Sequence, residues 1–297
     1  MTVLRTPDER FDNLPGYDFA ANYADIGGLR MHFVDEGPRD GEVVLLLHGE
    51  PSWSYLYRHM IPPLSAAGFR VIAPDLIGFG KSDKPSRKSD YSYAGHVDWM
   101  RRFIESLDLN DITLFCQDWG SLIGLRVAAE NEQRFARIAV GNGGLPTGDE
   151  ELPRAFFAWR TFARYSPWFP IGKILQKATV TELSDDVIAA YDAPYPSSAY
   201  KAGARAFPML VPTLPDDPAS AANRAAWDVF RNWEKPFLTT FSNRDPITRG
   251  GDIPWQQTVP GATDREHVTI RNAGHFLQED KGPELAEVLI QFVAGER

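Results

Sequence analysis

The chain has 297 residues, 43% hydrophobic and 24% charged, which fits one large globular domain or a domain carrying an insertion. Its formal net charge is −9 with the acidic residues scattered, which argues against a nucleic-acid or anionic-membrane surface. The lone cysteine, Cys116, excludes an intrachain disulfide framework and a multi-cysteine metal site, and no run of about 18 apolar residues is present to span a bilayer.

Residues 1–23 are polar and lack an apolar signal-peptide core, so a cytoplasmic location is expected. Residues 23–35 form two alternating segments around Gly27-Gly28, the pattern of an antiparallel hairpin at a sheet edge. Continuous apolar runs follow at 43–47, 71–74, 112–116, 138–140, 236–241 and 268–270. Such runs, separated by helical patterns, predict a mostly parallel sheet with helices on both faces. Val97, Met100, Ile104 and Leu107 mark a helix over 93–107, and a second amphipathic helix runs over 283–293 with Pro283 at its start.

This rhythm breaks between about residues 145 and 223, where strand signals vanish and aromatic, helical segments take over. The predicted organisation is an α/β core of residues 1–145 and 223–297 with an inserted helical cap, 146–222. A helical block inserted after a parallel strand lies over the strands' C-terminal ends, where ligands bind in open α/β sheets.

The run Leu114-Phe115-Cys116-Gln117-Asp118-Trp119-Gly120-Ser121 reads as a buried strand turning sharply into a helix, with Asp118 held exposed at the turn. Most such elbows carry serine, whose alkoxide attacks carbonyl carbon. A carboxylate suits attack on saturated carbon bearing a leaving group, giving an ester on the enzyme. The next residue, Trp119, carries an N–H that donates only, which suits a departing anion. Cys116, inside the apolar run, reads as a core thiol.

Asp118, Asp245 and His275 stand at the C-terminal ends of separate predicted strands, in the order nucleophile, acid, base. Asp252 rivals Asp245, but Asp245 closes a strand and Pro246 rigidifies its turn, whereas Asp252 follows the loop Gly250-Gly251. The other histidines are weaker candidates. His32, His96 and His267 lie in alternating or amphipathic patterns and are expected at the surface or half-buried; His59 is expected in a helix; His48 sits in a turn where a structural hydrogen bond is expected. At His48-Gly49-Glu50-Pro51 a turn can aim the N–H of Glu50 at the reaction centre, and with the N–H of Trp119 it forms an oxyanion hole. The Glu50 carboxylate is expected to turn away or hold a water, because a charge beside Asp118 would weaken the nucleophile.

With these motifs in place, the chain resembles the haloalkane dehalogenases of the α/β-hydrolase superfamily. The resemblance rests on the segment from His48-Gly49-Glu50-Pro51 to Arg58, on Cys116-Gln117-Asp118-Trp119-Gly120, on Phe156-Phe157-Ala158-Trp159, on Asp245 and on Asn272-Ala273-Gly274-His275. It covers nearly the whole chain and implies the α/β-hydrolase fold. It further implies that two tryptophan N–H groups hold the halide: Trp119 and, from the cap in the subfamily with Glu after His-Gly, Trp159, with Trp168 as rival and Phe156 in the substrate pocket. Other subfamilies place Asn where Glu50 stands and their acid after the preceding strand. Here Gly141, Asn142 and Gly143 end that strand without a carboxylate, which supports Asp245. Ser121 departs from a glycine common in the family, with little effect expected.

The implied reaction is hydrolytic dehalogenation to a primary alcohol, halide and a proton through an ester on Asp118, with no metal and no cofactor. The implied partners are a small halogenated alkane, water and a halide ion, with no nucleic acid and no membrane, in a monomer or weak homo-oligomer. Three readings stand beside it. An epoxide hydrolase would use the same Asp118, His275 and Asp245 but needs proton-donating cap tyrosines, for which Tyr165, Tyr191, Tyr195 and Tyr200 are available. A fluoroacetate-type dehalogenase wants a basic residue after Asp118, where Trp119 stands. A ligand receptor on a hydrolase fold would leave an intact nucleophile, acid and base unused.

Overall fold

A computed structural model of the chain describes residues 1–295. The strands are β1 (Val3–Leu4), β2 (Asn22–Asp25), β3 (Arg30–Glu36), β4 (Val43–Leu47), β5 (Arg70–Pro74), β6 (Lys84–Pro85), β7 (Ile112–Asp118), β8 (Phe135–Gly143), β9 (Phe237–Ser242) and β10 (Val268–Ile270). The helices are α1 (Ile61–Ala66), α2 (Tyr93–Ser106), α3 (Trp119–Glu130), α4 (Arg154–Tyr165), α5 (Ile171–Ala178), α6 (Asp185–Asp192), α7 (Ala202–Leu210), α8 (Ser220–Phe230), α9 (Asp252–Thr258) and α10 (Leu277–Val293).

Eight strands form one sheet in the order β10-β9-β8-β7-β4-β5-β3-β2. From β10 to β5 all pairs are parallel; β3 and β2 add antiparallel at one end, as the Gly27-Gly28 hairpin predicts. Every residue of β4 is buried, and β7 is buried from Ile112 to Gln117. Strands covered on both faces by helices need such unbroken apolar runs. Helix α1 packs with α10, while α2 and α8 pack on α3. The helices α4 to α7 follow β8 without an intervening strand, as the loss of strand signals after residue 145 anticipates.

Two expectations about helices need refinement. Helix α10 starts at Leu277, but Lys281 has non-helical angles (φ −144°, ψ 35°) that break it just before Pro283. Proline lacks an N–H and its ring meets the carbonyl four residues back, so the predicted start at 283 marks the second half. His59 lies in an exposed turn after a short 3-10 segment, not in a helix.

Two histidines expected near the surface are buried. His32 lies in β3, an interior strand between β5 and β2, and its Nδ1 lies 2.8 Å from Oδ2 of buried Asp75. His96 packs against the rings of Tyr91, Trp99 and Phe207, and burial, helped by His48, pushes it down to about 3. His267 is half-buried, and His48 accepts from the Leu76 N–H at 3.0 Å while its other ring nitrogen meets the Gly49 carbonyl. Among the described residues no helix is long and apolar enough to cross a membrane.

Candidate active site

Asp118 sits where β7 ends and α3 begins, with φ 49° and ψ −126°. A non-glycine residue with positive φ is strained, and the surroundings must hold it there. Gly120 lets α3 press on β4: a Cβ there would lie 2.0 Å from the Leu47 carbonyl oxygen. Gly49 does the same for Asp118, since a Cβ on it would lie 2.4 Å from the Cβ of Asp118. The hydroxyl of Ser121 donates to the Asp118 carbonyl at 2.5 Å and accepts from the Gly144 N–H at 2.9 Å. Ser121 thus ties the elbow to the end of β8, a larger role than its small size suggests.

Around the Asp118 carboxylate, the Glu50 N–H donates to Oδ1 at 2.7 Å and His275 Nε2 lies 3.4 Å from Oδ2. The other ring nitrogen of His275 lies 2.9 Å from Oδ2 of Asp245. Asp245 is fully buried and also accepts from the Ile247 N–H at 2.8 Å and from the Thr248 hydroxyl. Burial opposes its ionisation, but the His275 charge and these donors outweigh it and hold Asp245 down at about 2. The rival, Asp252, begins α9 and accepts from Gln256 instead.

His275 feels opposed influences. Burial pushes it down; the Asp245 charge and the hydrogen bond to Asp118 push it up more strongly, to about 10. The imidazole therefore holds its proton more firmly than a free histidine does.

Of the two expectations for the Glu50 side chain, the structure does not show it turned away: it is buried and lines the cavity, and its Oε1 has no hydrogen-bond partner within the protein. Burial, then the neighbouring Asp118 charge, push its carboxyl well above the usual range, and the Trp159 indole acts on it as a hydrogen-bond donor. A carboxyl that holds its proton more firmly puts less negative charge beside Asp118. No sequence signal marks this shift in advance.

Glu50, Asp118 and His275 line a cavity of about 940 Å³ together with Trp119, Leu122, Phe156, Trp159 and Val211, with Asp245 buried behind His275. Trp168 is 66% exposed and does not line it. None of Tyr165, Tyr191, Tyr195 and Tyr200 lines it either. Tyr191 donates to Glu279 and Tyr195 to the Pro51 carbonyl, so neither hydroxyl is available to protonate an epoxide. Among the described residues no group of three or more His, Cys, Asp or Glu is placed to hold a metal ion.

The family model for the alpha/beta hydrolase fold matches residues 42–282, which makes the chain an α/β hydrolase. It is 57% identical over 298 residues to a haloalkane dehalogenase of Psychrobacter cryohalolentis, covering 99% of this chain and 98% of that one. It is 58% identical to a haloalkane dehalogenase of Mycobacterium marinum, covering 98% of this chain and 100% of that one. In structure it matches the tetrameric haloalkane dehalogenase DpaA from Paraglaciecola agarilytica NO2, with a TM-score of 0.91, 38% identity and 97% of each chain covered. The chain belongs to the haloalkane dehalogenase family.

Proposed function

We propose that Asp118 is the alkylated nucleophile of a hydrolase acting on carbon–halide bonds, and that each neighbour serves one of two successive steps. In the first, a carboxylate oxygen of Asp118 attacks the sp³ carbon in line and the carbon–halogen electron pair leaves with the halide. The indoles of Trp119 and Trp159 donate to that halide, so charge is stabilised where it develops. The Trp159 indole donates to the Glu50 carboxyl, and the halide takes over that donor.

The ester on Asp118 carries no charge. His275 then loses its hydrogen bond to Asp118 and the carboxylate charge that raised it. The nucleophile's own conversion thus turns the imidazole into a base, and it sheds its proton to solvent. His275, oriented by Asp245, takes a proton from water, and the hydroxide formed attacks the ester carbonyl. The developing oxyanion sits where the Glu50 N–H already donates to Oδ1, with the Trp119 N–H as second donor. Collapse returns Asp118 and releases a primary alcohol, so one alcohol, one halide and one proton leave per turnover.

The observation that carries this reading is the unbroken line Asp245–His275–Asp118–Glu50 N–H at the floor of a largely apolar cavity. The two-part division follows: residues 1–145 and 223–297 form the catalytic core and 146–222 a cap that supplies Phe156 and Trp159. The partners are a small halogenated alkane, water and halide, the chain acts as a monomer or weak homo-oligomer, and its place is the cytoplasm. Incubation with a panel of 1-bromo- and 1-chloroalkanes, with halide release measured, tests the reading; release from none of them overturns it.

A further inference from the structure

The loop that carries His275 is held from two sides. From the core, the Gly274 carbonyl accepts from Asn142 and Ser242 at 2.9 and 2.8 Å, and the His275 carbonyl accepts from Asn142 and Gln117 at 3.0 and 3.2 Å. From the cap, the Ala178 carbonyl at the end of α5 accepts from the N–H groups of His275 and Phe276 at 2.8 and 3.4 Å. The approach is tight: a Cβ on Gly274 would lie 2.4 Å from the Ala178 oxygen. Ala178 also lines the reaction cavity.

One side chain fastens this junction. The Asp280 carboxylate, at the break in α10, accepts from the Gly274 N–H at 2.8 Å. The same carboxylate accepts from the N–H of Val180 at 3.0 Å and of Thr181 at 2.6 Å. A charged acceptor shared by three backbone donors is stronger than neutral pairs would be. It binds the residue before the base to the cap residues just beyond Ala178.

We infer that Asp280 is a positioning residue that locks the cap turn 178–181 onto the loop of His275 and so sets where the base points. This rests on reading His275 as the base of the second step. His275 has no part in the first step, so loosening it slows ester hydrolysis and spares alkylation. A cap that had merely come loose would disturb Trp159 and slow both steps.

The test compares Asp280→Asn and Asp280→Ala with the unaltered protein in rapid-mixing experiments on a bromoalkane. Asn keeps the shape but leaves only one acceptor oxygen, and it serves if the Ala variant does not fold. The halide burst is expected to keep its rate and amplitude. Decay of the alkyl ester, followed by intact-protein mass, is expected to slow by about tenfold to a hundredfold, the scale of an ångström-sized misplacement. Burst and decay slowing together, or unchanged decay, overturns the inference. His275→Phe run alongside separates the failures. If it accumulates the ester, unchanged decay in Asp280→Asn refutes Asp280 alone; if it does not, the assignment of the base falls and the inference with it.

Discussion

His275 Nε2 lies 3.4 Å from Oδ2 of Asp118, so the proposed base of the second step rests against the proposed nucleophile of the first. The charge on Asp118 therefore raises the proton affinity of His275. In the free protein Asp118 and Asp245 lift His275 to about 10 against the effect of burial. Alkylation removes the Asp118 share and leaves that of Asp245.

The sign of the pH effect follows. Hydrolysis needs neutral imidazole, so ester decay rises with pH through the histidine's value in the ester state and levels off above it. That value lies below the one in the free protein. Asp118→Ala, which lacks the charge permanently, is expected to show the lowered value when the imidazole is titrated by NMR. An unchanged titration in that variant would show that the two residues do not communicate.

Asp118→Ala is also expected to abolish turnover, with halide release falling about 10,000-fold or more, the scale seen when a covalent nucleophile is removed. Asn is a poorer choice, since deamidation regenerates Asp. Full turnover by the Ala variant would remove the ester mechanism altogether.

His275→Phe separates the half-reactions. One equivalent of halide is expected in a burst, followed by an alkyl adduct on Asp118 visible in the intact mass. Repeated turnovers without adduct would assign the base elsewhere.

Trp119→Phe and Trp159→Phe are each expected to weaken halide binding and to slow chloroalkanes by about 100-fold, with iodoalkanes less affected. Bromide quenching of tryptophan fluorescence reports the binding directly. Trp168→Phe is expected to change neither, because Trp168 is exposed on the cap surface. The opposite result, loss with Trp168→Phe and none with Trp159→Phe, would exchange the two residues.

The elbow was legible because its chemistry is local: a buried run, small residues around the turn, and a carboxylate where serine is usual. The parallel sheet was legible for the same reason, since apolar runs such as 43–47 and 112–116 need no distant knowledge. For His32, alternation in β3 suggests one wet face, whereas Asp75, 43 residues away, meets its ring. Only the fold brings that partner near. Ser121 likewise looked idle, because its acceptor and donor lie on opposite sides of the β7–β8 junction. Asp280 gave no signal at all: its partners at 180 and 181 are 100 and 99 positions distant.

Cys116 stands two positions before Asp118, buried completely in β7, with burial pushing its thiol up. Alkyl halides are also thiol reagents, and a thiolate is the softer, faster partner for them. A chain that takes up such electrophiles for a living is exposed to poisoning by its own substrate. Here the sole sulfhydryl is both walled off and kept protonated, which leaves the proposed ester on Asp118, one that water can undo, as the outlet for alkylation.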